Sequence, residues 1–220
     1  EHLLGGASTV AEDRGIFLAN SWRMHPDVCR FVSELSYDGR LVSAEGCERQ
    51  SVNSAVLTGT GLRYVPVEHD NNAHQSPEEA AAIARLVGDL LGGTATVTDR
   101  DGRERALVAS EILVVAPYNM QVRNLRELLP ADVEVGTVDK FQGREAAIVF
   151  FSMTTSRGED VPRGLEFLFN QNRFNVAVSR AKSLSVLVCS PRLLESRCHT
   201  VDQLRLVNAV CRFVEVAVEG

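Results

Sequence analysis

Short, almost wholly apolar runs alternate along this chain with longer stretches whose apolar residues return every three or four positions. The runs 62–67, 112–116, 133–138, 147–153 and 184–190 are rich in Val, Ile, Leu and Phe and lack in-out alternation, which predicts parallel strands buried on both faces. Helical period marks 77–91 through Ala80, Ile83, Ala84, Leu86, Val87 and Leu90. It also marks 120–129 through Val122, Leu125, Leu128 and Leu129, and 201–218 through Leu204, Val207, Val210, Cys211, Val214 and Val218. Ser76-Pro77-Glu78-Glu79 supplies a capping hydroxyl, a Pro at the first helical position and early acids, and Gly92-Gly93 closes that helix. Strand and helix taking turns predict βαβ units in a doubly wound layer. Asp101-Gly102, between 95–98 and 105–108, predicts a small hairpin decorating the sheet.

The chain has 220 residues, 45% apolar and 24% charged, a composition that excludes disorder and collagen-like order and gives one domain as the economical count. No apolar run approaches the roughly 20 residues of a membrane-spanning helix. The first residues, Glu1-His2-Leu3-Leu4-Gly5-Gly6, lack a signal-peptide pattern and an initiator Met, so the expectation is a soluble piece of a longer chain carrying part of an activity. Twenty-three Lys and Arg against 29 Asp and Glu give a net charge of −6, the wrong sign for holding nucleic acid by bulk electrostatics. Any such binding must be local. The five cysteines form no CxxC and no zinc-like spacing with His, which predicts no metal site and free thiols in a reducing cytoplasm. His69 and His74 fall in a polar loop and read as solvated.

Four segments carry candidate chemistry. In Ser21-Trp22-Arg23-Met24-His25-Pro26, followed by a helix-like stretch at 28–35, an aromatic beside an Arg offers a ring for stacking and a fork for phosphate; a core Trp and a surface ion pair are the plainer alternative. Pro117, Tyr118, Asn119 and Gln121 stand where the 112–116 strand stops, at the carboxyl edge where open α/β sheets bind ligands; the alternative is a helix cap by Asn119. Thr137 and the turn Gln142-Gly143-Arg144-Glu145 offer donors, an acceptor and a glycine that admits a phosphate, or else a solvated turn. The stretch 172–182 is a short helix pattern with Arg180 in its last turn, where a cation also complements the helix dipole, and with Arg173 and Lys182 grouped nearby in an acidic chain.

In this order, "WRMHP", "VVAPYNMQ", "TVDKFQGREAAIVFFSM" and "NRFNVAVSRAK" resemble the motifs of the second RecA-like domain of superfamily 1 helicases, in the branch holding the RNA-surveillance and nuclease-coupled enzymes. The likeness covers nearly the whole chain. The wording is most similar to bacterial proteins in which a RecB-like nuclease precedes the helicase. The resemblance implies a three-layer α/β fold of the RecA-like P-loop NTPase kind over 1–220, with a mainly parallel sheet, helices on both faces and a small hairpin insertion. It implies ATP with Mg²⁺, the metal held by a first RecA-like domain that carries the Walker sequences this chain lacks. Arg23 and Arg180 become arginine fingers, Trp22 stacks on the adenine, and Gln142, Gly143, Arg144 and Glu145 line the nucleotide side, Glu145 toward the ribose. Single-stranded nucleic acid, DNA ahead of RNA, would touch Pro117, Tyr118, Asn119, Gln121 and Thr137, with the loop 156–164 near the track or simply solvated. Movement would be 5′-to-3′, and this piece alone would not hydrolyse ATP. A non-catalytic RecA-like module that binds nucleic acid or protein is the competing class. A dinucleotide enzyme is disfavoured because no G-x-G-x-x-G follows an early strand.

Overall fold

The computed structural model describes residues 15–141 and 143–219. Strands β1 (Asn20–Ser21) and β2 (Val42–Ser43) flank helix α1 (Pro26–Ser36) and pair with each other. There follow β3 (Ser51–Asn53), β4 (Gly61–Pro66), α2 (Pro77–Gly92), β5 (Thr96–Thr98) and β6 (Glu104–Ala106). The chain continues with β7 (Ile112–Val115), α3 (Asn119–Leu128), β8 (Glu134–Gly136), β9 (Ala146–Ser152), α4 (Leu165–Leu168), α5 (Gln171–Val178) and β10 (Ala181–Cys189). It closes with α6 (Pro191–Leu194), α7 (Val201–Val216) and β11 (Val218–Glu219).

Six strands form one sheet in the order β11-β4-β10-β9-β7-β8, every pairing parallel. The period of two along each strand feeds two separate cores. Leu113, Val115, Val149, Phe151, Leu187 and Cys189 face one side, where α1, α5 and α7 contribute Phe31, Phe174 and Phe213. Ile112, Val114, Ile148, Phe150, Val186 and Val188 face the other, where α2 and α3 contribute Ile83, Val87 and Leu125. Phe31, Phe174 and Phe213 meet edge to face, with centroids 5.3–6.1 Å apart. This is the three-layer α/β arrangement that the alternation of patterns predicts.

Local signals act as expected at the helix starts. The Ser76 hydroxyl accepts from the Glu79 amide at 3.1 Å, and His25 Nδ1 accepts from the Asp27 amide at 3.1 Å ahead of Pro26. Differences concentrate at ends and edges. The hairpin β5–β6 gains a third antiparallel strand, β3, which three residues are too short to announce. Helix α7 stops at Val216, and Val218–Glu219 instead pair with β4, extending the sheet edge. Leu128 and Leu204, read as core-facing, are each half exposed, because the apolar stripe is narrower than the periodicity implied. Arg180 lies beyond the capping residue Ser179 in the turn before β10, not in the last helical turn.

Because all six strands point the same way, the sheet has an amino end and a carboxyl end, and the candidate residues divide between them.

Candidate functional site

At the amino end, β9 and β10 begin side by side, Ala146 opposite Ala181. The residues just before and beside those starts make a charged cluster. Arg23 Nε donates to Glu145 Oε2 at 2.8 Å, and its Nη1 donates to the Ser179 carbonyl at 3.0 Å. Lys182 Nζ reaches Glu145 Oε1 at 2.9 Å. Arg180 donates to the Val176 carbonyl at 3.1 Å and to the Arg144 carbonyl at 3.4 Å. Burial, and then the nearby Arg23 charge, pull the Arg180 pKa down from its ordinary value. Partial burial pushes the Glu145 carboxyl up, but the hydrogen bonds and charges of Arg23 and Lys182 outweigh it and leave the carboxyl below its ordinary range.

The backbone that carries Arg23 is braced from two sides. The His25 amide donates to the Lys182 carbonyl at 2.7 Å, and Gln50 Nε2 donates to the Arg23 carbonyl at 2.7 Å. Beside it Trp22 is 65% exposed, so the core-aromatic alternative does not hold. Trp22, Arg23, Glu145 and Lys182 line an open cleft of about 450 Å³ whose opposite wall is the β5–β6 hairpin. Arg180 does not line this cleft, which also holds Asp99, Asp101 and Glu111; the exposed ring beside Arg23 and Lys182 offers one surface for a planar base and another for an anion.

The rest of that segment is placed less closely. Gly143 is exposed with φ +81, and a Cβ there would meet nothing within 4 Å, so the glycine serves the backbone conformation rather than close approach. The Arg144 guanidinium pairs with Glu134 on β8, and only its carbonyl joins the cluster. Gln142 lies outside the described residues. Among the described residues no group of three or more His, Cys, Asp and Glu side chains is set to hold a metal ion, and no helix is long and apolar enough to cross a membrane.

At the carboxyl end, a cleft of about 340 Å³ brings together Pro117, Tyr118, Asn119 and Thr137, from the ends of β7 and β8. Sequence reasoning missed its other wall. Tyr118 stacks on Phe167 with centroids 5.6 Å apart and planes at 26°, and His74 meets Tyr118 edge-on at 5.3 Å. Arg163 and Arg173 lie over the Phe167 ring at 4.8 and 4.5 Å. The result is a short aromatic column flanked by cations in an acidic chain. Arg173 stands out in the sequence as one of a basic group and Arg163 lies in the loop 156–164, but Phe167 sits in a four-residue helix with no periodic signal.

Gln121 is not part of this surface. It is fully buried, its amide oxygen accepting from the Ser76 amide at 2.8 Å and its Nε2 donating to the Ser76 carbonyl and to Ser152 Oγ, both at 3.0 Å. One helical turn places it on the inner face of α3, which the residue type alone could not reveal. His69 is likewise buried and not solvated: its Nε2 is 2.9 Å from Glu79 Oε1 and its Nδ1 is 2.7 Å from Ser156 Oγ. Glu79 Oε2 accepts from Ser152 Oγ at 2.5 Å and from the Thr154 amide at 2.8 Å. Full burial pushes the Glu79 carboxyl above its ordinary pKa even with these partners. Thr154 takes φ +73, costly for a β-branched residue, in the conformation that aims its amide at Glu79. This network does not line the cleft; it ties the ends of β4 and β9 to the starts of α2 and α3.

Residues 3–192 match the family described as AAA domain. The chain belongs to the AAA domain family. Several relatives of this AAA domain are named as helicases. It is 32% identical over 185 residues to the DNA polymerase alpha-associated DNA helicase A of Schizosaccharomyces pombe, covering 76% of this chain and 26% of that protein. It is 28% identical to the DNA replication ATP-dependent helicase/nuclease JHS1 of Arabidopsis thaliana, over 66% of this chain and 10% of the relative. It is also 28% identical to the Regulator of nonsense transcripts 1 homolog of Arabidopsis thaliana, over 83% of this chain and 15% of the relative. The AAA domain thus spans about a quarter or less of the length of these relatives.

Proposed function

We propose that this chain is the second motor domain of an ATP-dependent helicase, which completes a nucleotide site begun on a partner domain and carries part of a single-strand track. The observation that carries the reading is the convergence of Arg23, Arg180, Lys182 and an exposed Trp22 at one open edge, where nothing in this fold requires so much positive charge. In this reading the first RecA-like domain grips ATP and Mg²⁺. Arg23 and Arg180 reach across to the γ-phosphoryl oxygens and stabilise the charge that spreads over them in the transition state. Glu145 holds Arg23 while the edge is open and exchanges that contact for the ribose as the domains close. Trp22 stacks on the adenine. Gly143 gives the turn before Glu145 its left-handed geometry and the Arg144 backbone completes that wall, while Gln142 is assigned to the nucleotide by the resemblance alone.

The opposite cleft takes the polymer. Thr137 and the Pro117–Asn119 edge contact the backbone, and the partly exposed Phe167, backed by the buried Tyr118 and flanked by Arg163 and Arg173, meets bases, an arrangement of stacking surface and local cations that an acidic chain can offer. We take the polymer to be single-stranded DNA, travelled 5′-to-3′, in a parent protein that also carries a RecB-like nuclease. Kinship with a helicase/nuclease supports the last element. The domain alone does not turn over ATP in this reading.

The test uses the parent protein with both motor domains. Arg23→Ala and Arg180→Ala each lower nucleic-acid-stimulated ATP turnover by about 10³-fold, the usual worth of an arginine finger, with nucleotide binding largely retained. Near-normal turnover in either variant removes that residue from the site. Competition of DNA against RNA of the same sequence decides the polymer.

A further inference from the structure

The wall facing Trp22 is the β5–β6 hairpin, which neither builds the main sheet nor carries any of the four motifs. Its tip is tightly made. Asp99 Oδ1 accepts from the amides of Asp101 and Arg103 at 2.9 and 3.0 Å, the Gly102 amide donates to the Asp99 carbonyl at 3.0 Å, and Gly102 takes φ +79. The hydrogen bonds leave the Asp99 carboxyl below its ordinary pKa. This turn projects Arg100 toward Trp22, its guanidinium carbon 5.7 Å from the ring centroid.

The tip also rests on the loop that braces Arg23. A Cβ on Gly46, which has φ +93, would lie 3.0 Å from the Arg100 carbonyl, so the glycine admits the hairpin backbone. From Gly46 the chain turns through Cys47 to Gln50, whose side chain holds the Arg23 carbonyl. An exposed arginine is thus delivered by a rigid turn to an exposed indole, in a cleft that Arg23, Glu145 and Lys182 also line.

We propose that Arg100 is a positioning residue for the nucleobase: it covers one face of the Trp22 indole, fixes the ring and leaves the other face to the base. The proposal rests on the reading that Trp22 stacks on adenine. A planar guanidinium against an indole is among the stronger cation–π pairs and restricts the ring's torsions, so the stacking partner is ordered before the nucleotide arrives.

The experiment measures steady-state turnover of the two-motor parent protein with ATP and with ribose 5-triphosphate, which lacks the base. Arg100→Ala raises KM for ATP by about threefold to fivefold, the size of an exposed cation–π contact. It leaves kcat and the KM for ribose 5-triphosphate unchanged. Trp22→Ala is the reference and erases the preference for ATP. If Trp22→Ala erases it and Arg100→Ala does not, the role of Arg100 is overturned while the stacking reading stands. If Trp22→Ala leaves the preference intact, the stacking reading falls and takes this proposal with it. An equal rise in both KM values, or a fall in KM for ATP, also overturns the proposal, the first marking a triphosphate contact and the second a competitor for the ring.

Discussion

The two ends of the sheet are built in opposite ways. At the amino end Arg23, Glu145 and Lys182 are partly exposed and held by ion pairs that water can replace. At the carboxyl end the strand and helix ends are held by a network of buried polar groups, His69, Glu79, Gln121, Ser152 and Ser156, each with at least one hydrogen-bond partner. Exposed ion pairs contribute little to stability and exchange partners easily, whereas a buried paired charge is strongly destabilising to disrupt. The difference separates a face made to change partners from a face made to keep its shape.

Breaking the buried network has the largest expected effect. Glu79→Ala leaves His69, Ser152 and the Thr154 amide without their acceptor and lowers stability by about 3–5 kcal/mol. Urea denaturation of the domain measures it, and a loss below about 1 kcal/mol would show that the network is not the support described. Next comes the aromatic column. Phe167→Ala removes the stacking partner of Tyr118 and the ring under Arg163 and Arg173, and weakens single-strand binding by about 1–3 kcal/mol. Thr137→Ala costs about 1 kcal/mol in the same fluorescence-anisotropy titration. Arg173→Ala flattens the salt dependence by roughly 0.7 in log–log slope, as loss of one phosphate contact requires, and an unchanged slope would take Arg173 off the backbone.

The smallest effect sharpens the contrast from the amino end. His25 caps α1 through Nδ1 and contacts the Glu48 carbonyl through Nε2 at 3.2 Å, which the neutral ring satisfies. Burial lowers its pKa from 6.5 despite the Asp27 carboxylate nearby. The folded state therefore binds fewer protons than the unfolded one as pH falls through 6.5, and stability declines from there downward until the folded ring also protonates. The size of the loss follows the pKa difference between the folded and unfolded ring, and His25→Asn removes the pH dependence by substituting a cap that does not titrate. A stability curve flat between pH 7.5 and 5.5 would show that the ring is not held neutral.

How much of this the chain announces in advance depends on what each part rests on. Buried strands and amphipathic helices are repeated local patterns, and the five long runs and three long helices appear within a few residues of their expected ends. Elements of two to four residues, such as β3 and α4, hold their shape only through tertiary contacts and leave no period to read. The same holds for sites. Arg23, Glu145 and Arg180 stand in dense, unusual neighbourhoods, and Pro117, Tyr118, Asn119 and Thr137 end strands. Gln121 and His69 look like surface residues by type, and only the three-dimensional company of Ser76, Glu79 and Ser156 shows them to be internal.

Helix α5 runs between the two ends of the sheet, bearing Arg173 beside the carboxyl-end cleft in its first turn and followed by Arg180 at the amino end. Eight residues of helix are about 12 Å long, a rod too short to bend appreciably. Under the function proposed above, a displacement imposed on Arg180 by a closing neighbour would arrive at the aromatic column with little lost on the way, and a tug on the strand would travel back along the same member.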